Sequence, residues 1–166
     1  VRPLLMSHLS DVQVYPIFLV RDPRGVVWSA MKKPGSPERD RGDSKMLRFL
    51  RCLFSWNVVN YLTLIVARFF LKEYLVVRYE DFANNPVETL RSVQKYIDED
   101  LGNVISKLQG NKPIDIAHNL GGNRLRFKRS IRNIKLDKSW CSDMPFFYSS
   151  LVTLFSFPLI WFFKRK

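Results

Sequence analysis

Arg21, Asp22, Gly25 and Ser29 follow directly on an apolar run in the stretch YPIFLVRDPRGVVWSAMKK, residues 15–33, and these are residue types that together hold a phosphate. A guanidinium offers two parallel donors to an oxyanion. The first turn of a helix adds unpaired backbone N–H groups and the positive end of the macrodipole. Asp22 suits the N-cap and Pro23 the first helical position, where a missing N–H costs nothing. A helix is therefore predicted to begin directly after the apolar run. Ser29 falls on the same face as Asp22 and Gly25 by the three-to-four spacing, and the absent side chain of Gly25 leaves a path to its hydroxyl. One phosphate could then touch both Arg21 and Ser29.

A strand must present these residues. Residues 15–20, rich in aromatic and β-branched side chains, read as a buried strand of a mostly parallel sheet. Residues 74–78, YLVVR, read as a second, with Tyr79, Glu80 and Asp81 at the carboxyl end, where ligands gather in open parallel sheets. For Glu80 and Asp81, capping or ion pairing is the simpler role. Residues 34–42, dense in Pro, Gly and charge, form a surface connector. Asp43 or Ser44 caps a helix over residues 45–71, with Phe49, Leu53, Trp56, Val59, Asn60 and Thr63 toward the core. Arg48, Arg51 and Arg68 mark its other side, and a membrane span there is disfavoured because charges flank too short an apolar core. A further helix over residues 86–97 begins with Pro and buries Leu90, Val93 and Ile97. A short one is expected at 101–108, before a polar loop through Gly110 and Pro113.

A third stretch carries chemistry: HNLGGNRLRFKRSIRNIKLDK, residues 118–138. Gly121 and Gly122 allow close backbone approach to an anion, and Asn123, Arg124 and Arg126 supply donors. Taken alone, its cations alternating with Leu, Phe and Ile also describe a patch for nucleic acid or anionic lipid.

In this order, and covering roughly residues 15–145, the three stretches resemble sulfotransferases that use 3′-phosphoadenosine 5′-phosphosulfate (PAPS). The similar features are Arg-Asp-Pro-Arg after a strand with Ser29 following, the strand YLVVR running into YEDFANNPVETLRSV, and GGNRLRF followed by Trp140. The resemblance implies an α/β fold, a partial P-loop-like parallel sheet flanked by helices. It forms the carboxyl-terminal portion of such an enzyme as one truncated domain over residues 1–166. Residues 1–14 are then a remnant of upstream structure, and the Gly-rich loop that cradles the 5′-phosphosulfate is expected upstream. By the same resemblance Arg21 and Ser29 hold the 3′-phosphate and Tyr79 lies near the adenine. Gly121, Gly122, Asn123, Arg124 and Arg126 close over the nucleotide's 3′ side. Arg126 ranks before Arg124, which stands where a Pro often follows Gly-Asn in the family. The implied reaction moves a sulfuryl group from PAPS, without a metal, to a hydroxyl or amine acceptor such as a carbohydrate. The family's base, a His or carboxylate, commonly lies nearer the phosphosulfate loop, so no catalytic residue is assigned. His118 reads as an orienting or core residue. Two rival readings stand: a non-catalytic basic module for nucleic acid or anionic membrane, and another P-loop-type nucleoside-phosphate enzyme.

Composition agrees with an anionic ligand. The formal charge is +12 in 166 residues, a surplus over what one nucleotide needs that points to nucleic acid, an anionic membrane surface or an acidic glycan. Thirteen Phe and four Trp supply core material and exclude a disordered chain. Cys52 and Cys141 are too few for a disulfide framework and are expected as buried thiols, and His8 and His118 stand too far apart to suggest a metal cluster. Residues 144–163 are uncharged and are followed by Lys164, Arg165 and Lys166. Three readings suit them: a membrane span, an amphipathic segment on a membrane surface, or a packed terminal helix.

Overall fold

The computed structural model describes residues 13–32, 44–115, 130–131 and 134–165. In chain order the elements are β1 (Ile17–Val20), α1 (Pro23–Lys32), α2 (Lys45–Phe70), β2 (Leu75–Arg78), α3 (Tyr79–Asn84), α4 (Pro86–Ile97), α5 (Gly102–Gln109), β3 (Ile114–Asp115), β4 (Ser130–Ile131), α6 (Ser139–Asp143) and α7 (Phe146–Arg165). They divide into two compact units, Val1–Arg78 with Asp137–Lys166, and Tyr79–Leu136.

The first unit is α/β in a loose sense, mostly helical around one parallel pair of strands. β1 lies beside β2 with Ile17 opposite Leu75 and Val20 opposite Arg78, and the Leu75 N–H donates to the Pro16 carbonyl at 3.0 Å. Tyr15 and Tyr74, expected inside the strands, stand just outside them.

Helix α1 is the hub of this unit. Val27 and Trp28 on its inner side join Phe49 and Leu53 of α2, Met144, and Val152 of α7 in one buried cluster. A second cluster joins Val20 of β1, Trp56 of α2, and Leu159 and Phe163 of α7. The long helices α2 and α7 run side by side in the same direction. Phe49 meets Tyr148 with ring centroids 4.7 Å apart, and two turns further on Asn57 Nδ2 donates to Ser156 Oγ at 3.0 Å. That bond satisfies a serine that is fully buried, as burial of a hydroxyl demands.

Ser44 caps α2, its hydroxyl accepting from the Leu47 N–H at 3.2 Å. Along the helix Phe49, Leu53, Trp56 and Ala67 are buried, with Asn60 and Thr63 half-buried. Val59, expected among them, is instead 56% exposed. A stripe through 49, 53, 56, 60 and 67 leaves position 59 about a quarter of a turn off the centre of the buried face. Because nearly every neighbour is apolar, hydropathy alone does not mark that boundary. Cys52 is half-buried and Cys141 exposed, against the expectation of two buried thiols: α6 turns Trp140 inward, and the next side chain faces out.

In the second unit Asn85 precedes Pro86 at the start of α4, and Asp98, in the left-handed region at φ 54°, ends it. Gln94 Oε1 then accepts from the Leu101 N–H at 3.1 Å, linking the end of α4 to the start of α5. Ala83 and Ile105 are buried here, whereas Leu90, Val93 and Ile97 are half-buried rather than enclosed. So small a cluster of short helices covers only part of each apolar face. Ile114 stands opposite Ile131 in the antiparallel pair β3 and β4.

The two faces of α2 should respond unequally to truncation. Phe49→Ala empties a fully buried site and should cost about 3 to 5 kcal/mol. Phe54→Ala, at a position 70% exposed, should stay within about 0.5 kcal/mol. Urea unfolding of the two variants checks the difference, and comparable losses would contradict the assignment of the faces.

Candidate functional site

The end of β1 and the start of α1 are built around Asp22. Its Oδ1 accepts from the Arg24 backbone N–H at 2.9 Å and from Arg24 Nε at 3.0 Å, while Oδ2 accepts from Arg24 Nη2 at 2.6 Å. The Asp22 carbonyl accepts the first helical bond, from the Val26 N–H at 3.1 Å, and Pro23 behind it is fully buried. Asp22 thus acts as the expected cap and also holds the Arg24 guanidinium in a two-pronged pair. Thus anchored, Arg24 lies with Cζ 4.2 Å from the centroid of the Trp140 ring, a cation–π stack.

Arg21 lies across the same first turn. A Cβ placed on Gly25 would meet Arg21 Nε at 3.1 Å and Trp140 Cδ1 at 3.2 Å. The missing side chain is what lets the guanidinium and the indole close onto the helix. Arg21 Nη2 donates to Asp137 Oδ2 at 3.0 Å, and the other oxygen, Oδ1, accepts from the Ser139 N–H at 3.1 Å. These bonds hold the Asp137 carboxyl below the usual carboxylate range, through the Ser139 backbone N–H first, then the Ser139 side chain, with Arg21 adding to both.

At the far end of α1, Lys32 pairs with Asp143, and its ammonium stands 5.1 Å from the Trp28 ring centroid. Lys32, followed by the Ser142 hydroxyl, lowers the Asp143 carboxyl in turn. Short as it is, α6 is therefore fastened to α1 twice, by Trp140 at one end and Asp143 at the other.

The fold brings Trp140, which the sequence reading drew from a separate stretch, against Arg21 and Gly25. Ser29 is half-buried on α1, one turn beyond Gly25 and about 6 Å along the axis from it. Tyr79 belongs to the second unit, where its hydroxyl donates to the Lys135 carbonyl at 3.4 Å. It opens α3 together with Glu80 and Asp81, acids placed where the helix dipole favours them. Gly121, Gly122, Asn123, Arg124, Arg126 and His118 lie outside the described residues. Sequence reasoning missed Asp137 and Ser139. An Asp two residues before a Ser, just ahead of a short helix, is the pattern of a side chain that caps its own turn, and nothing local tied it to Arg21.

Compared with protein-family models, curated proteins and solved structures, the chain finds no match.

Because its native carboxyl is lowered, Asp137 adds stability that is complete above the ordinary carboxylate range and is lost as pH falls through its native value. Asp137→Asn should therefore melt below the wild type at neutral pH, with the gap closing on acidification. Melting temperatures measured along the acid limb test this, and a gap that widens in acid would contradict the pairing.

Proposed function

We propose that the chain supplies the 3′-phosphate subsite of a PAPS-dependent sulfotransferase with a P-loop-like α/β fold, acting on a hydroxyl or amine acceptor such as a carbohydrate. The observation that carries this reading is the convergence of Arg21 and Trp140 over Gly25 at the N-terminus of α1. Trp140, which follows the third family-like stretch in sequence, meets the first stretch at a helix end suited to an anion.

The residues present fit a phosphate in a specific way. Arg24 is held by Asp22, which leaves Arg21 as the cation of the first turn to meet a ligand. Its present partner is a single carboxylate oxygen of Asp137, and a phosphate would offer acceptor oxygens of the same kind with more charge. Ser29 on the next turn would add a hydroxyl to the same group. When bound, PAPS supplies the sulfuryl group that is transferred. Transfer needs acceptor and leaving group held in line and the charge on the departing bisphosphate neutralised. In this reading Arg21, the N–H groups of the first turn and Ser29 orient the nucleotide and hold its charge, and they exchange no proton with the reacting atoms.

Calorimetry of adenosine 3′,5′-bisphosphate against 5′-AMP, at two salt concentrations, tests the assignment. The bisphosphate should bind more tightly, and Arg21→Ala should remove the preference, weakening binding by about tenfold to a hundredfold for the loss of a charge-assisted contact. Equal affinity for the two nucleotides in the wild type, falling steeply with salt, would replace this reading with that of a general polyanion-binding module.

Gly25→Ala separates site from scaffold. Alanine is the better helix former by roughly 1 kcal/mol, so the variant should fold. Its methyl group, however, would displace the Arg21 guanidinium or the Trp140 ring by a few tenths of an ångström. Bisphosphate affinity should fall severalfold with the melting temperature unchanged or raised, and unaltered affinity would show that Arg21 does not bind across this turn.

A further inference from the structure

Residues 137–143 lie along α1 as a strap with three fastenings. At the leading end Asp137 Oδ2 accepts from Arg21 Nη2 at 3.0 Å. In the middle the Trp140 ring takes the Arg24 guanidinium 4.2 Å from its centroid, and at the far end Asp143 pairs with Lys32. Just beyond, the chain is anchored, because Met144 is buried with Val27, Trp28 and Phe49. The leading end has no such seat. The side chain of Asp137 is 46% exposed, and the Ser139 N–H that holds its other oxygen belongs to the strap itself.

The carboxylate takes the edge of Arg21 that matters to an anion. A Cβ on Gly25 would lie 3.1 Å from Arg21 Nε and 3.4 Å from Nη2, so the guanidinium turns its Nε–Nη2 edge toward the first turn of α1. A phosphate that reaches both Arg21 and the N-terminus of this helix must use that edge, and Asp137 already holds its Nη2. The neighbouring cation is no substitute, since Arg24 is held through Nε and Nη2 by Asp22. Two anions therefore contend for one nitrogen. An ion pair with its carboxylate so open to water holds weakly, whereas a phosphate brings more charge to the same donor.

We infer that Asp137 is a built-in occupant of the anion site: its carboxylate fills the place on Arg21 that a phosphate would take, and a bound phosphate lifts the leading end of the strap while Met144 stays seated. The exchange forms and breaks no covalent bond. It rests on the nucleotide reading above and adds to it a control of affinity. Apparent affinity is reduced by the fraction of chains in which Asp137 holds Arg21, so whatever draws the strap away opens the site.

Calorimetry on the whole chain at neutral pH compares adenosine 3′,5′-bisphosphate binding by the wild type, Asp137→Asn, Arg21→Ala and the double variant. Asp137→Asn should bind about threefold to tenfold more tightly, although it is the less stable chain. The gain should vanish when Arg21 is also replaced, because the two residues act through one contact. Amide hydrogen exchange gives a second readout: saturating bisphosphate should speed exchange in residues 138–143 of the wild type. A gain that survives in the double variant would assign the effect to net charge and overturn the inference. Equal affinity of wild type and Asp137→Asn, or strap exchange unaltered at saturation, would overturn it too, while an Arg21-dependent preference over 5′-AMP left the nucleotide reading in place. Bisphosphate bound no better than 5′-AMP by wild type and Asp137→Asn alike would instead remove the nucleotide reading, and this inference with it.

Discussion

The complete burial of Val27 fixes the first unit. It lies between Trp28 on its own helix and Phe49, Leu53 and Val152 on α2 and α7, and a helix with one side chain so enclosed cannot turn about its axis without opening a void. The rotational setting of α1 then determines what its first turn can present. With Val27 inward and Pro23 beneath, Gly25 comes under Trp140, and Arg21 comes under the returning segment that carries Asp137. The geometry of the proposed anion site is in this sense a consequence of packing some residues away from it.

Local chemistry was readable where it was written locally. A strand ending in Arg21, a cap at Asp22 and a proline at the first helical position are neighbours in sequence, and each works through backbone groups within a few residues. The contact between Arg21 and Asp137 joins positions 116 apart, and neither residue type announces the other. Trp140 entered the sequence reading through resemblance alone, and its seat against Gly25 and Arg24 required the fold. Ser139, which orients Asp137, had a recognisable turn pattern but no visible purpose.

Hydropathy gave its clearest guidance where it was uneven and its poorest where it was uniform. Helix α4 alternates apolar and polar positions, so its limits and its inner face could be read directly. Helix α2 is apolar almost all the way round, and such a helix is ordinarily enclosed on every side. Here Phe49 and Phe54 are chemically identical and five residues apart, yet one is sealed and the other open. Val59 was misplaced for the same reason, since a periodicity argument needs polar positions to supply the phase. The terminal segment divides likewise, with Val152, Ser156, Leu159 and Phe163 inward and an equally apolar side left facing solvent.

Asp137 is also the first residue of the chain on its return to the first unit, after residues 79–136 have formed the second. Its bond to Arg21 therefore joins the two pieces of a discontinuous body at the point of re-entry. Contacts at such a sequence separation carry a large closure entropy and come late in assembly. The first turn of α1, the anion site proposed above, is thus completed only when the carboxyl-terminal segment has docked. An anion that took Nη2 of Arg21 would compete with that docking contact, so that on the proposed reading occupancy and the seating of α6 would be linked quantities.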